Sequence, residues 1–106
     1  MELKKVGYCY ASINTLKLKL NNCFKEYENN YFYIFKVETN KGVNFALYVQ
    51  RKKVNFDFNK EVYFSIWGIN AAALKKFELH TNLTALSIRE FNDIKGGAPY
   101  QLFKGV

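Results

Sequence analysis

Tyr31-Phe32-Tyr33-Ile34-Phe35-Lys36-Val37-Glu38 runs into Asn40-Lys41-Gly42 and emerges as Asn44-Phe45-Ala46-Leu47-Tyr48-Val49-Gln50-Arg51-Lys52. β-Branched and aromatic residues on both sides of Asn/Gly turn chemistry predict an antiparallel hairpin. The strand period of two divides the second arm into Phe45, Leu47 and Val49 on one face and Asn44, Tyr48, Gln50 and Lys52 on the other. The second set holds the polar side chains and is expected to face solvent. In the first arm Lys36 and Glu38 should also point outward, carrying Phe32 and Ile34 with them if no bulge intervenes. The outer face of this hairpin is thus predicted to mix rings with lysines.

Downstream, Val62-Tyr63-Phe64-Ser65-Ile66-Trp67-Gly68 reads as a further strand, with Val62, Phe64 and Ile66 inward and Tyr63, Ser65 and Trp67 opposite. Asn70 is a candidate N-cap for a short helix over Ala71 to Phe77, where Ala favours the helix and Lys75 and Lys76 suit its C-terminal end. Leu83 to Phe91 is expected to return to strand, with Leu86 and Ile88 on one side and Ser87 and Arg89 on the other. Upstream, Leu16-Lys17-Leu18-Lys19-Leu20 alternates apolar and charged residues and predicts an early strand, with Lys4 to Tyr10 as another.

Composition narrows the class. A chain of 106 residues, 49% hydrophobic, buries one core without staples and leaves no room for a multidomain enzyme. Sixteen Lys and Arg against nine Asp and Glu give a net charge of +7, which favours an anionic partner. Aromatic residues reach 18%, more than such a core requires, so some rings are expected outside. Fourteen of the sixteen cations are Lys, and Asn, Ile, Phe and Tyr are abundant, as an AT-rich coding sequence alone would produce. Position therefore matters more than count.

Cys9 and Cys23, with His80 as the single histidine, assemble no zinc-finger or redox motif and read as free thiols of a cytoplasmic protein. His80 beside a cysteine is a weak nucleophile pair, and the lone histidine is read as a surface or hydrogen-bonded side chain. The carboxylates are scattered singly, so no nuclease-like metal cluster is read from them. Gly96-Gly97 is followed by no Lys-Ser or Lys-Thr helix, so it is a joint and not a phosphate loop. No signal h-region or membrane-spanning run is present. The expectation is a binding protein, not an enzyme, with no cofactor or metal: one domain over residues 1–95 that carries an N-terminal extension, with a short C-terminal segment, 96–106.

The order hairpin, strand, helix, strand is that of an OB-fold barrel. Val43 to Lys52, a charged loop, Val62 to Gly68, and Ala71-Ala72-Ala73-Leu74-Lys75-Lys76 together resemble the central stretch of bacterial-type single-stranded-DNA-binding proteins, over about residues 31 to 91. In that family a V-x-x-F-x-L-x-V-x-R strand leads to an aromatic-Gly strand end and an A-x-x-L-x-K helix. The resemblance implies a mainly β fold, a small OB-like β-barrel with one short helix between strands. It also implies that the aromatic before Gly68, here Trp67, stacks on a base. Three departures accompany it. Thirty residues precede Tyr31, the Asn55 to Lys60 loop is short, and the family's linker and acidic tail for partner recruitment are not seen.

Single-strand binding needs cations for the phosphates and exposed rings for the bases. The candidate rings are Phe32, Tyr48, Tyr63 and Trp67, and the candidate cations Lys36, Arg51, Lys52, Lys53 and Arg89. The competing reading buries each ring in a bulky core and leaves Arg51-Lys52-Lys53 as a solvated hairpin end. The expected function is binding of single-stranded DNA without sequence preference, in replication or recombination, as an accessory protein of phage or plasmid type. An OB-type RNA binder and a small phage- or plasmid-encoded interaction or inhibitor domain are the alternatives. No membrane is involved. A homodimer or higher oligomer is expected through an edge strand carrying Leu16, Leu18 and Leu20.

Overall fold

A computed structural model describes residues 2–95 of the chain; the segment 96–106, including the Gly96-Gly97-Ala98-Pro99 run, lies outside the described residues. The chain order is β1 (Lys4–Ala11), α1 (Ile13–Leu20), β2 (Lys25–Glu28), β3 (Phe32–Thr39), β4 (Gly42–Gln50), the single-turn α2 (Arg51–Val54), β5 (Val62–Gly68), α3 (Ala72–Thr81), β6 (Leu86–Ser87) and α4 (Ile88–Lys95). The six strands form one antiparallel sheet in the order β2-β3-β4-β5-β1-β6. The fold is therefore mainly β, with short helices.

The hairpin forms where turn and pattern place it. Its register sets Phe32 against Gln50, Ile34 against Tyr48 and Lys36 against Ala46. The register shifts only between Val37 and Glu38, beyond Lys36, so Phe32, Ile34 and Lys36 keep one face together. β5 continues the alternation, pairing Ser65 with Tyr48 and Trp67 with Ala46. On the opposite face Phe35, Phe45, Leu47, Phe64 and Ile66 are fully buried beneath Leu16 and Leu20 of α1 and Phe77 of α3. Each such side chain contributes about 1.5–3 kcal/mol on burial. The rings of Phe45 and Phe77 meet edge to face at 5.5 Å, which joins α3 to the sheet.

Two glycines permit this closeness. A Cβ at Gly68 would collide with the Cβ of Ala73, and one at Gly7 with the carbonyl of Leu86 and the side chain of Leu74. Gly68 thus lets α3 fold back directly onto the end of β5.

Several expectations are corrected. Leu16 to Leu20 is helix, not strand. Ser12 is extended and its hydroxyl accepts from the Thr15 N–H at 3.0 Å, an N-cap, and Ile13, Leu16 and Leu20 recur on one buried side. Leu18 is left 77% exposed, so the edge strand expected to drive self-association does not exist. Arg51 and Lys52 leave the strand for α2. The helix after Asn70 runs on to Thr81, with Asn70 Oδ1 accepting from the Ala72 N–H at 2.9 Å. Leu83 to Phe91 is strand only at Leu86–Ser87. There the Ser87 hydroxyl accepts from the Glu90 N–H at 3.1 Å while the Glu90 carboxylate accepts from the Ser87 N–H at 2.9 Å. This reciprocal capping box starts α4 and ends β6.

The short β6 has an architectural consequence. Among the described residues β2 and β6 are the sheet's two edges and do not pair, so the sheet stays open there and the expected barrel is not closed. The N-terminal residues are not an appendage either, since β1 lies inside the sheet between β5 and β6. Asn21, Asn55 and Asn82 end α1, α2 and α3 in the left-handed conformation, a structural use for part of the abundant asparagine.

Candidate nucleic-acid interface

Helices α1 and α3 cover one face of the sheet. The other presents the alternate residues of β1, β3, β4 and β5, and these line a groove of about 500 Å³. Phe32, Tyr48, Tyr63 and Trp67, predicted from alternation alone, all line it, together with Lys53. Ring contacts tie Phe32, Tyr48 and Trp67 into a row. Phe32 meets Tyr48 edge to face at 6.1 Å, and Tyr48 lies 5.3 Å from Trp67. All four residues are half-buried.

Trp67 is held in place by hydrogen bonds. Its indole Nε1–H donates to Ser65 Oγ at 2.9 Å, and the Ser65 hydroxyl donates to the Tyr48 carbonyl at 3.3 Å. Ser65 thereby satisfies the indole N–H from within the sheet, leaving the ring's apolar surface as what the groove offers. Ala46, fully buried between Lys36 and Trp67 in the ladder, is the small residue that makes room for the indole.

The far wall of the groove is absent from the sequence prediction. Lys5, Tyr8 and Phe91 complete the lining. Tyr8 stacks on Phe91 at 3.9 Å with ring planes 23° apart, and Tyr63 meets Phe91 at 4.9 Å. Lys5 Nζ lies 5.3 Å from the centre of the Tyr8 ring, a cation–π contact that keeps a positive charge at the rim. Tyr10, 4.8 Å from Tyr63, continues the row; burial first, and then the Glu61 carboxylate, push its phenol up. A readable signal for this wall was the Tyr8-Cys9-Tyr10-Ala11 alternation, which has the same period as β5.

The remaining cations are distributed unevenly. Lys36 shares the open face, and its Nζ sits 5.4 Å from the centre of the Tyr27 ring. Lys52 is exposed and lines a separate small notch with Asn30, Tyr31 and Gln50. Arg51 is a clamp and not an open cation: Nη1 donates to the Asn29 carbonyl at 3.0 Å, the Glu28 carboxylate is 3.7 Å away, and the guanidinium lies over Tyr33. Arg89 is exposed on α4 rather than on a strand face, and does not line the groove.

The nucleophile candidates separate. Cys9 is buried, and burial pushes its thiol well up, away from thiolate chemistry; Cys23 is exposed. His80 hydrogen-bonds through Nε2 to the Leu20 carbonyl at 3.2 Å and packs against Phe45, joining α3 to α1. Among the described residues no cluster of three or more His, Cys, Asp or Glu is arranged to hold a metal, and no helix is long and apolar enough to cross a membrane. Compared with known proteins, the chain matches no family model, no curated protein and no solved structure, so the resemblance rests on the quoted residues alone.

Proposed function

We propose that this protein binds single-stranded nucleic acid without sequence preference, using the face of its sheet opposite α1 and α3 as a stacking platform. The observation that carries the reading is the convergence of Phe32, Tyr48, Tyr63 and Trp67 on one groove with Lys5 and Lys53 in its lining. Bases have π-faces and phosphates have charge, and this lining offers partners for both. Stacking contributes about 1–3 kcal/mol per base and tolerates any sequence. A net charge of +7 supplies the counterion-release term. The reading keeps the stacking logic of OB-type single-strand binders without requiring their closed barrel. Such a protein would protect or organise strands exposed in replication or recombination.

Titration of labelled oligo-dT and of a duplex of equal length, at two salt concentrations, tests this directly. The single strand should bind more tightly, with log affinity falling against log salt at about −0.7 per phosphate neutralised. Equal affinity for duplex, or affinity indifferent to salt, would count against it. An oligo-U arm reports whether ribose is accepted, since stacking alone does not separate RNA from DNA.

A further inference from the structure

Beside the aromatic groove lies a smaller notch of about 150 Å³ lined by Asn30, Tyr31, Gln50 and Lys52. Gln50 lines both spaces, so the two adjoin across one side chain. Tyr31 is 73% exposed at the turn between β2 and β3, an unusual place to display a large ring. Its backbone is nonetheless fixed. Asn29 Oδ1 accepts from the N–H groups of Tyr31 and Phe32 at 2.8 and 2.9 Å, and the Asn29 N–H donates to the Phe32 carbonyl at 3.1 Å. The Arg51 N–H donates to the Tyr31 carbonyl at 2.8 Å, and the Arg51 guanidinium holds the Asn29 carbonyl from the other side. A turn pinned this way, presenting an open ring beside a free-standing ammonium at Lys52, is preorganised for a planar group that carries an anion.

Resting on the single-strand reading, we propose that Tyr31 is a second stacking station, with Lys52 taking the adjoining phosphate. A strand leaving the aromatic groove then passes over Gln50 and lays a further base on Tyr31. The ligand class is consequently a polynucleotide and not a mononucleotide, because the second station is useful only to a chain long enough to reach it. Arg51 acts here as a positioning residue, setting the turn that displays the ring.

The test is binding as a function of oligo-dT length, from the dinucleotide to about eight nucleotides, for the full chain and its Tyr31→Ala, Tyr31→Phe and Trp67→Ala variants. Tyr31→Ala should weaken the longest oligomer by roughly 5- to 150-fold, the equivalent of one lost stack, while leaving the shortest oligomers unaffected. Tyr31→Phe should retain the wild-type affinity, and Trp67→Ala should weaken binding at every length. Tyr31→Ala with unchanged affinity at all lengths, with equal losses at all lengths, or with losses that Tyr31→Phe shares, would overturn the second station while leaving the first groove standing. Absence of wild-type binding at every length would instead remove the function on which the station rests.

Discussion

The two faces of the sheet are built from alternate residues of the same strands and have opposite fates. On one, Phe35, Leu47, Phe64 and Ile66 are fully buried under α1 and α3. On the other, Phe32, Tyr48, Tyr63 and Trp67 are aromatic too and stay half-buried, and among the described residues α4 reaches their far wall through Phe91. The covered face uses mainly aliphatics and Phe, with Tyr33 as a ring that carries a polar atom. The open face adds Tyr, Trp, Ser, Gln and Lys to Phe32, with the Trp67 indole N–H and the Ser65 hydroxyl satisfied within the sheet. Aromatic content alone therefore does not mark a core; the polar groups carried beside the rings distinguish a packed face from an offered one.

The strongest way to break this contrast is to truncate one ring on each face. Phe64→Ala should cost about 3–5 kcal/mol of stability in urea unfolding, since a fully buried ring leaves a cavity. Tyr48→Ala should cost clearly less stability but weaken oligonucleotide binding. Equal stability losses would show that the open face is simply a second core.

A smaller effect sharpens the boundary between the faces at α4. The Ser87 N–H, and secondarily the Ser87 hydroxyl, hold the Glu90 carboxyl below its ordinary value. A depressed carboxyl contributes stability that is fully present above its unfolded pKa, about 4.3, and is lost as pH falls through the lower folded value. Acidification should therefore loosen α4 before the sheet. In NMR spectra the amides of α4 should shift below about pH 4 while those of β4 and β5 hold, and Glu90→Gln should abolish that early step. Simultaneous loss of both regions would refute a locally capped α4.

How much of this was legible in the sequence follows from which interactions are local. The hairpin and β5 were readable because Asn40-Lys41-Gly42 fixes the turn and the two faces differ in chemistry at every second residue. α1 was misread because Leu16, Leu18 and Leu20 satisfy a period of two, while Ile13, Leu16 and Leu20 also satisfy the helical period; Ser12 and Thr15 were the deciding signal. α4 was missed for a similar reason, although Ser87 and Glu90 spell a capping box. The far wall of the groove was readable only in part, since the Tyr8-Cys9-Tyr10-Ala11 alternation is local but its place beside β5 is not. The wall exists because β1 inserts between β5 and β6, pairing Lys5 with Trp67 and Tyr8 with Ser65, residues far apart in sequence. The local pattern supplied half of the candidate site, and tertiary pairing supplied the rest.

Trp67 is the chain's only tryptophan and sits in the middle of the open face, so its emission reports on the groove and nowhere else. Fluorescence titration with oligo-dT should quench that emission saturably, and Trp67→Ala, read by an anisotropy titration of labelled oligo-dT, should weaken binding by about 1–3 kcal/mol while the variant still folds. Emission unchanged by saturating single-stranded DNA would contradict the assignment of this face as the binding surface.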